Sequence, residues 1–134
     1  PVERTATVEL AVVRYAYRLE VELSGPTGPR AVVSDPTTGA RSAFTAPGRA
    51  VLLYLLARRV VADRAAGVPL ADRGWCTDAE VASGVWGRSG ETRSLNVLVT
   101  RVRNDLRRDG FDPWFLEKRH GFVRVRLDAV EVST

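Results

Sequence analysis

Residues 77–108 read TDAEVASGVWGRSGETRSLNVLVTRVRNDLRR and predict two helices joined by a turn. Thr77-Asp78-Ala79-Glu80 matches a capping box, in which the threonine hydroxyl accepts a hydrogen bond from the Glu80 amide and the glutamate carboxylate accepts one from the Thr77 amide. This box predicts a short helix that extends to Trp86 and ends at Gly87. A longer helix is then predicted to begin near Thr92 or Ser94 and to run to Arg108, where Asp109-Gly110 stops it.

The longer helix has two chemically different faces when its residues are placed at 100° per residue. One face is an apolar stripe that is predicted to be buried in the core, formed by Leu95, Val99, Val102 and Leu106. The opposite face is polar and basic and carries Arg93, Val97, Thr100, Arg101, Asn104 and Arg108, flanked by Asn96, Arg103 and Arg107. Asp105 is the one acidic residue of this helix.

The basic face suits the edges of base pairs in the major groove of DNA. Arginine can bind guanine, asparagine can bind adenine, and the methyl groups of valine and threonine can contact the thymine methyl. A solvated face without a ligand is the alternative interpretation of the same pattern. An ordinary solvated face would also carry glutamate and lysine, so the sequence favours duplex DNA as the partner.

A β-hairpin is predicted after the helix, with strands at residues 114–117 and 122–127. Its tip carries three adjacent cationic or titratable residues, Lys118-Arg119-His120. Arg124 and Arg126 are predicted to share one face of the second strand, while Val123, Val125 and Leu127 point to the other. Such a tip suits a phosphate or the minor groove beside the helix.

The rest of the chain predicts a small sheet and one further helix. Residues 7–23, 31–34 and 41–45 are predicted strands of an antiparallel sheet, and Pro47 begins a helix that continues to Ala66. The predicted fold class is therefore α+β: a winged helix-turn-helix with an N-terminal antiparallel sheet, three helices and a C-terminal hairpin wing. Its parts are 1–45 as strands packed on the domain, 46–127 as the winged helix-turn-helix and 128–134 as a C-terminal tail.

Composition and charge fit one folded domain of 134 residues, with 45% hydrophobic and 27% charged residues and a net charge of +4. Residues 88–126 hold nine arginines and Lys118 against five acidic residues, a net charge of +5, which is expected of a region that meets a polyanion. No apolar run approaches the ~18 residues that span a bilayer. The single cysteine, Cys76, excludes an internal disulfide. These features predict a cytoplasmic protein without a membrane partner.

Sequence motifs for catalysis are absent, so neither an enzyme nor a cofactor is predicted. The chain has no phosphate loop, no nucleophile elbow and no Cys/His spacing for a metal, and His120 is its one histidine. Cys76 is predicted to be a small buried residue. Four aspartates are predicted to lie in loops or caps, namely Asp35, Asp63, Asp72 and Asp78.

The order of these elements resembles the OmpR/PhoB-type winged-helix DNA-binding effector domain of bacterial transcriptional regulators, and the related domain of actinobacterial antibiotic regulators. The resemblance covers about residues 31–127 and includes Val85-Trp86-Gly87 and Gly121-Phe122. It is closest at residues 93–103, RSLNVLVTRVR, where members show an Arg-Thr-Val-Asp-Val-x-Ile-x-Arg-Leu-Arg pattern.

The resemblance implies sequence-specific duplex DNA binding in transcriptional regulation, with the 92–108 helix in the major groove and the 114–127 hairpin as the wing. It places Arg93, Val97, Arg101 and Arg103 at DNA-facing or phosphate-contacting positions, and Trp86 where members often meet the DNA backbone. RNA polymerase and a regulatory domain of the same full-length protein are further partners that it implies. The complete predicted DNA-binding set is Thr77, Trp86, Arg93, Asn96, Val97, Thr100, Arg101, Arg103, Asn104, Arg108, Lys118, Arg119 and His120.

The sequence also departs from the family pattern. Leu98 and Thr100 stand where members usually carry polar or basic residues, the loop 62–76 is longer, and the hairpin tip lacks the usual Gly-x-Gly-Tyr. An alternative function is a winged helix that docks a partner protein or a regulatory domain. It is favoured by the modest net charge and by two apolar residues that are expected to be exposed, Val97 and Leu98. A two-component role does not follow, because similar winged helices occur behind other sensory modules.

Overall fold

The computed structural model describes residues 15–87 and 92–133. The predicted strand residues 7–14 and the turn residues 88–91 lie outside this range. The described chain is a mixed α+β structure with three α-helices and two sheets. Its elements are β1 (Tyr15–Gly25), β2 (Gly28–Ser34), β3 (Arg41–Phe44), α1 (Pro47–Ala65), β4 (Cys76–Thr77), α2 (Asp78–Trp86), α3 (Thr92–Arg108), β5 (Leu116–Arg119), β6 (Phe122–Val125) and β7 (Leu127–Ser133).

The larger sheet has the strand order β3-β2-β1-β7. The predicted antiparallel pairing of β1, β2 and β3 is confirmed, and β7 adds a parallel pair that makes the whole sheet mixed. β1 pairs antiparallel with β2, but it pairs parallel with β7 along its other edge. The prediction of a C-terminal tail is therefore wrong for residues 128–133, which belong to β7. Val130 lies opposite Leu19 in this pairing and both side chains are buried, so apolar contacts hold the strand in the sheet.

The smaller sheet has the order β4-β6-β5, and its β5–β6 pair is the predicted hairpin. The hairpin is shorter than the sequence predicted. Residues 113–115 form a 3-10 turn instead. Pro113 begins this turn, and the Asp112 carboxylate accepts a hydrogen bond from the Trp114 amide at 3.0 Å. The second strand ends at Val125, and Leu127 begins β7 instead.

α1 packs against the larger sheet, the hairpin strand β6 and the two other helices. Pro47 occupies its first turn, as predicted. Its buried residues are Ala50, Leu52, Leu53, Tyr54, Leu56, Ala57 and Val60. Asp63 lies within α1 and not in a loop as predicted. Its carboxylate accepts a hydrogen bond from the Gly74 amide at 2.8 Å. The 66–75 segment is thereby fixed to the end of α1. None of the described helices has the length and apolar character of a membrane span.

The helix predictions for α2 and α3 are confirmed. α2 carries the complete Thr77–Glu80 capping box and ends at Gly87, which has a φ of 77° in the left-handed region that favours glycine. The apolar stripe of α3, Leu95, Val99, Val102 and Leu106, is at most 1% exposed. Leu98 was expected to be exposed but is 7% exposed, and Gly48 of α1 lies near its side chain.

Candidate nucleic-acid interface

The outer face of α3 is exposed along the whole helix. Its exposed side chains are Arg93, Asn96, Val97, Thr100, Arg101, Asn104, Arg107 and Arg108. Arg93 and Arg101 have no hydrogen-bond or ion-pair partner among the described residues, so their guanidinium groups are available to a ligand. Thr100 Oγ1 donates to the Asn96 carbonyl at 3.0 Å, so its hydroxyl is bonded within the helix, and both Thr100 and Val97 are exposed.

The acidic residue of α3 is withdrawn from this face. The Asp105 side chain is 18% exposed, and it accepts hydrogen bonds from Arg49 of α1 at 2.8 Å and from Arg108 at 3.3 Å. Beyond the helix, Asp109 accepts from Ser42 Oγ at 2.6 Å. The Ser42 hydrogen bond, followed by the Arg108 contact, lowers the pKa of Asp109. Residues 93–108 therefore present a positive outer face, although part of the Arg108 charge is compensated by these two carboxylates.

Asn104 and Arg107 lie at the carboxyl end of this face. Arg107 Nη1 donates to Asn104 Oδ1 at 3.1 Å, so the amide nitrogen of Asn104 stays available as a donor. Arg107 also lies 5.9 Å from the centre of the Trp114 ring. Contacts with Asn104 and Trp114 therefore hold the Arg107 side chain at this end of the outer face.

Arg103 was predicted to face DNA, but the structure places it between α3 and the hairpin. Its Nε and Nη2 atoms donate to the Leu116 carbonyl at 3.0 and 2.7 Å, and its guanidinium carbon lies 4.8 Å from the centre of the Trp114 ring. Burial, followed by the charge of Arg107, lowers the pKa of Arg103. Arg103 therefore joins α3 to β5. Helical periodicity alone cannot distinguish this internal role from contact with a DNA phosphate.

Lys118 was predicted to lie free at the hairpin tip, but its ammonium group is bonded inward. Nζ donates to Asp78 Oδ2 at 2.9 Å and to the Arg119 carbonyl at 2.9 Å, and the Lys118 side chain is 17% exposed. The Asp78 amide also donates to the Gly121 carbonyl at 3.0 Å. These contacts fix the hairpin to the amino end of α2. Asp78 Oδ1 is buried without a partner, so this carboxylate depends on Lys118.

Arg119 and His120 remain exposed at the tip, as predicted. The Arg119 side chain is 67% exposed, although it lies 3.1 Å from Glu117 Oε2 and its guanidinium carbon lies 5.1 Å from the centre of the Trp75 ring. Phe122 follows the tip, is 45% exposed and contacts Trp75 edge-on. Arg119, unlike Lys118, can thus reach an anion without breaking a buried contact.

Arg124 was predicted to share an accessible face with Arg126, but it is 4% exposed. Its Nε donates to Glu117 at 2.7 Å, and its Nη1 donates to the carbonyls of Ala71 and Arg73 at 2.8 and 3.2 Å. Burial alone would raise the pKa of Glu117. The hydrogen bond and charge of Arg124, with the charges of Arg126 and Arg119, outweigh burial and lower that pKa below its ordinary value. Arg124 thus holds the 66–75 segment on the hairpin.

Thr77 and Trp86 lie at opposite ends of α2. Thr77 Oγ1 accepts from the Glu80 amide at 3.1 Å and donates to Glu80 Oε1 at 3.0 Å, so the hydroxyl of this predicted contact residue is occupied by the helix cap. Trp86 is 37% exposed and lies on the α3 side. The structure therefore brings Trp86, but not Thr77, beside the amino half of α3.

A cleft between the amino end of α1 and α3 adjoins Trp86, and sequence analysis missed it. We call it the α1–α3 cleft. It is lined by Ala46, Gly48, Arg49, Trp86, Arg93, Ser94, Val97, Leu98 and Arg101. The exposed apolar residues Trp86 and Val97 were visible in the sequence, but their proximity depends on how α2 packs against α3.

Other parts of the described chain offer less chemistry. Cys76 is buried, as predicted, and burial raises the pKa of its thiol despite the opposing effect of the neighbouring Arg59 guanidinium. Within residues 15–87 and 92–133, no three His, Cys, Asp or Glu side chains are grouped so that they could hold a metal ion.

Comparisons with protein-family models, with curated proteins and with solved structures found no match to this chain.

Proposed function

We propose that this chain is a winged helix-turn-helix domain of the OmpR/PhoB type that binds duplex DNA sequence-specifically in bacterial transcriptional regulation. The observation that carries the proposal is the outer face of α3. It presents arginine, asparagine, threonine and valine to solvent, while Asp105 is turned toward Arg49. Duplex DNA offers the negative potential and the mixture of donors, acceptors and methyl groups that such a face complements.

The dimensions of α3 support insertion in the major groove. A helix of 17 residues is about 25 Å long, and the groove is about 12 Å wide, which admits one α-helix. Arg101, near the middle of the outer face and without a partner among the described residues, is the proposed guanine contact. Asn96 and Asn104 are proposed to bind adenine, and Val97 and Thr100 to contact thymine methyl groups.

The proposed contact set differs from the sequence prediction on the hairpin. Arg119 and His120 are proposed to contact phosphates from the wing, since both are exposed at its tip. Lys118 and Arg103 are proposed to hold the hairpin at a fixed position relative to α3, because both are bonded inside the protein. Thr77 contributes in the same way through the α2 cap. We propose a binding function without catalysis, exercised in the cytoplasm, with RNA polymerase or a regulatory domain of the full-length protein as a further partner.

Replacement of Arg101 tests the proposed recognition face. Arg101→Ala is expected to cost ~1–3 kcal/mol in binding to a site selected from random-sequence duplexes, and to relax the preference at one base pair. The free energy of unfolding should change by less than about 0.5 kcal/mol, because the side chain is exposed. The matched control is Arg30→Ala, which removes the same charge from the outer face of the larger sheet. Equal affinity of parent and Arg101→Ala for the selected site would refute the assignment.

Salt dependence tests whether phosphates are contacted at all. Binding to random duplex should weaken with a log–log slope of about −0.9 per neutralised phosphate, or roughly −3 to −6 for about four to six contacts. Arg119→Ala should reduce the magnitude of this slope by about one and should lower the affinity for all DNA sequences equally. A chain that binds no duplex at low salt would contradict the proposed function.

A further inference from the structure

The α1–α3 cleft extends the apolar part of the α3 surface onto Trp86 of α2. Trp86 and Val97 are 37% and 45% exposed on its walls, and Leu98 is nearly buried beside them. Three arginines surround this apolar surface, namely Arg49, Arg93 and Arg101. None of the described residues that line the cleft is acidic. The cleft therefore combines an apolar surface with a cationic rim.

The three arginines are not equivalent. Arg49 is bonded to Asp105 at 2.8 Å, so its guanidinium has a fixed position and a largely compensated charge. Arg93 and Arg101 have no partner among the described residues and supply the uncompensated charge of the rim. A ligand that fits the cleft must carry at least one anionic group for these two residues. It must also carry an apolar side chain that can be removed from water against Val97 and Trp86.

We propose that the α1–α3 cleft docks a polypeptide segment in which acidic residues flank an aliphatic or aromatic side chain. Its apolar side chain packs on Trp86, Val97 and Leu98, and its carboxylates pair with Arg93 and Arg101. Charge complementarity selects an acidic segment, and the apolar surface distinguishes this segment from a nucleic-acid backbone, which has no side chain to bury there.

Docking in this cleft and DNA binding exclude each other. This step rests on the proposed function, because Arg93 and Arg101 belong to both the cleft and the DNA-facing surface of α3. A carboxylate paired with Arg101 occupies the donors that would bind a guanine. An acidic segment of a partner protein would therefore keep the domain off DNA until the segment is released.

Binding of a peptide to the protein tests the cleft directly. The probe is a short fluorescent peptide with Asp and Glu residues on both sides of a Leu-Phe pair, and the control peptide has Ser-Ser in place of Leu-Phe. We expect the first peptide to bind more tightly than the control. Val97→Ser should weaken its binding by about tenfold, because the apolar contact area is lost. The matched variant is Val61→Ser, which changes a similarly exposed valine of α1 outside the cleft and should bind like the parent.

Competition with DNA completes the test and separates the two proposals. The acidic–apolar peptide should displace a labelled random-sequence duplex from the parent protein. Equal binding of both peptides, or equal loss in Val97→Ser and Val61→Ser, would overturn the cleft as a docking site. Duplex binding that the bound peptide does not displace would overturn the exclusion, whereas absence of duplex binding would overturn the proposed function alone.

Discussion

α3 and the β5–β6 hairpin both concentrate basic residues, but they use them in opposite ways. Arg93 and Arg101 on α3 extend into solvent and have no partner among the described residues. On the hairpin, the Arg124 side chain is 4% exposed and the Lys118 side chain 17% exposed, and each is bonded to a carboxylate. Arg119 is 67% exposed and is the hairpin cation that most resembles the α3 arginines.

The difference shows that net charge overstates what a basic segment can offer to an anionic ligand. Removing a charged group from water is costly unless it is paired and hydrogen-bonded, so every basic side chain that the fold buries requires an acceptor within the protein. Glu117 and Asp78 supply those acceptors here. Basic residues that support the structure and basic residues that can bind a ligand therefore occur side by side in the same third of the chain.

Loss of Arg124 should have the largest effect on stability. Arg124→Ala leaves Glu117 and the carbonyls of Ala71 and Arg73 without their main donor, and we expect the free energy of unfolding to fall by about 3 kcal/mol. Arg101→Ala removes the same charge from the exposed side of α3 and serves as the matched control, with a change below about 0.5 kcal/mol. Urea unfolding of both variants measures the difference. Similar unfolding midpoints for Arg124→Ala and Arg101→Ala would contradict the inference that the hairpin arginine supports the structure and the α3 arginine does not.

Loss of Lys118 should have an intermediate effect. Lys118→Met leaves the 10% exposed Asp78 side chain without its cationic partner, and we expect a loss of about 2 kcal/mol. The double variant Asp78→Asn/Lys118→Met removes the unpaired charge and should recover part of this loss. Thermal unfolding of the parent, the single variant and the double variant measures the coupling. If Lys118→Met has the stability of the parent, Lys118 is available at the tip as the sequence alone suggested.

The pH dependence of stability gives the smallest expected effect. Because the Glu117 pKa is lowered in the folded protein, its contribution to stability is complete above the ordinary glutamate pKa of about 4.3 and is lost as pH falls toward the folded value. Glu117→Gln keeps an oxygen that can accept from Arg124 but loses the charge, so it should be less stable than the parent near neutral pH by about 1 kcal/mol and should lose less stability on acidification. Thermal unfolding between neutral and acidic pH measures both effects.

Glu20→Gln is the matched control for the acid titration, since it makes the same chemical change at an exposed position of β1. This variant should lose as much stability on acidification as the parent does. An unchanged acid-side loss in Glu117→Gln would contradict the inference that the hairpin arginines act on Glu117 as structural partners.

Local sequence was sufficient to predict the elements whose signals lie within a few residues. The Thr77–Glu80 capping box fixed the start of α2, and the spacing of Leu95, Val99, Val102 and Leu106 identified the buried face of α3. Hydrogen bonds of a cap join residues three apart, and helical periodicity repeats every 3.6 residues, so both patterns can be read without knowledge of the fold. The exposure of Arg101 followed from the same periodicity.

Tertiary structure decided the contacts between residues that are distant in sequence. β7 joins β1 as a parallel strand through residues such as Arg18 and Glu131, which lie 113 positions apart. The burial of Arg124, the inward bonding of Lys118 and the α1–α3 cleft likewise depend on how separate elements pack. The sequence by itself determined which residues are basic and which faces of α3 are apolar. Only the packed structure determined which basic residues are bonded internally, because desolvation and pairing depend on neighbours that the chain brings together when it folds.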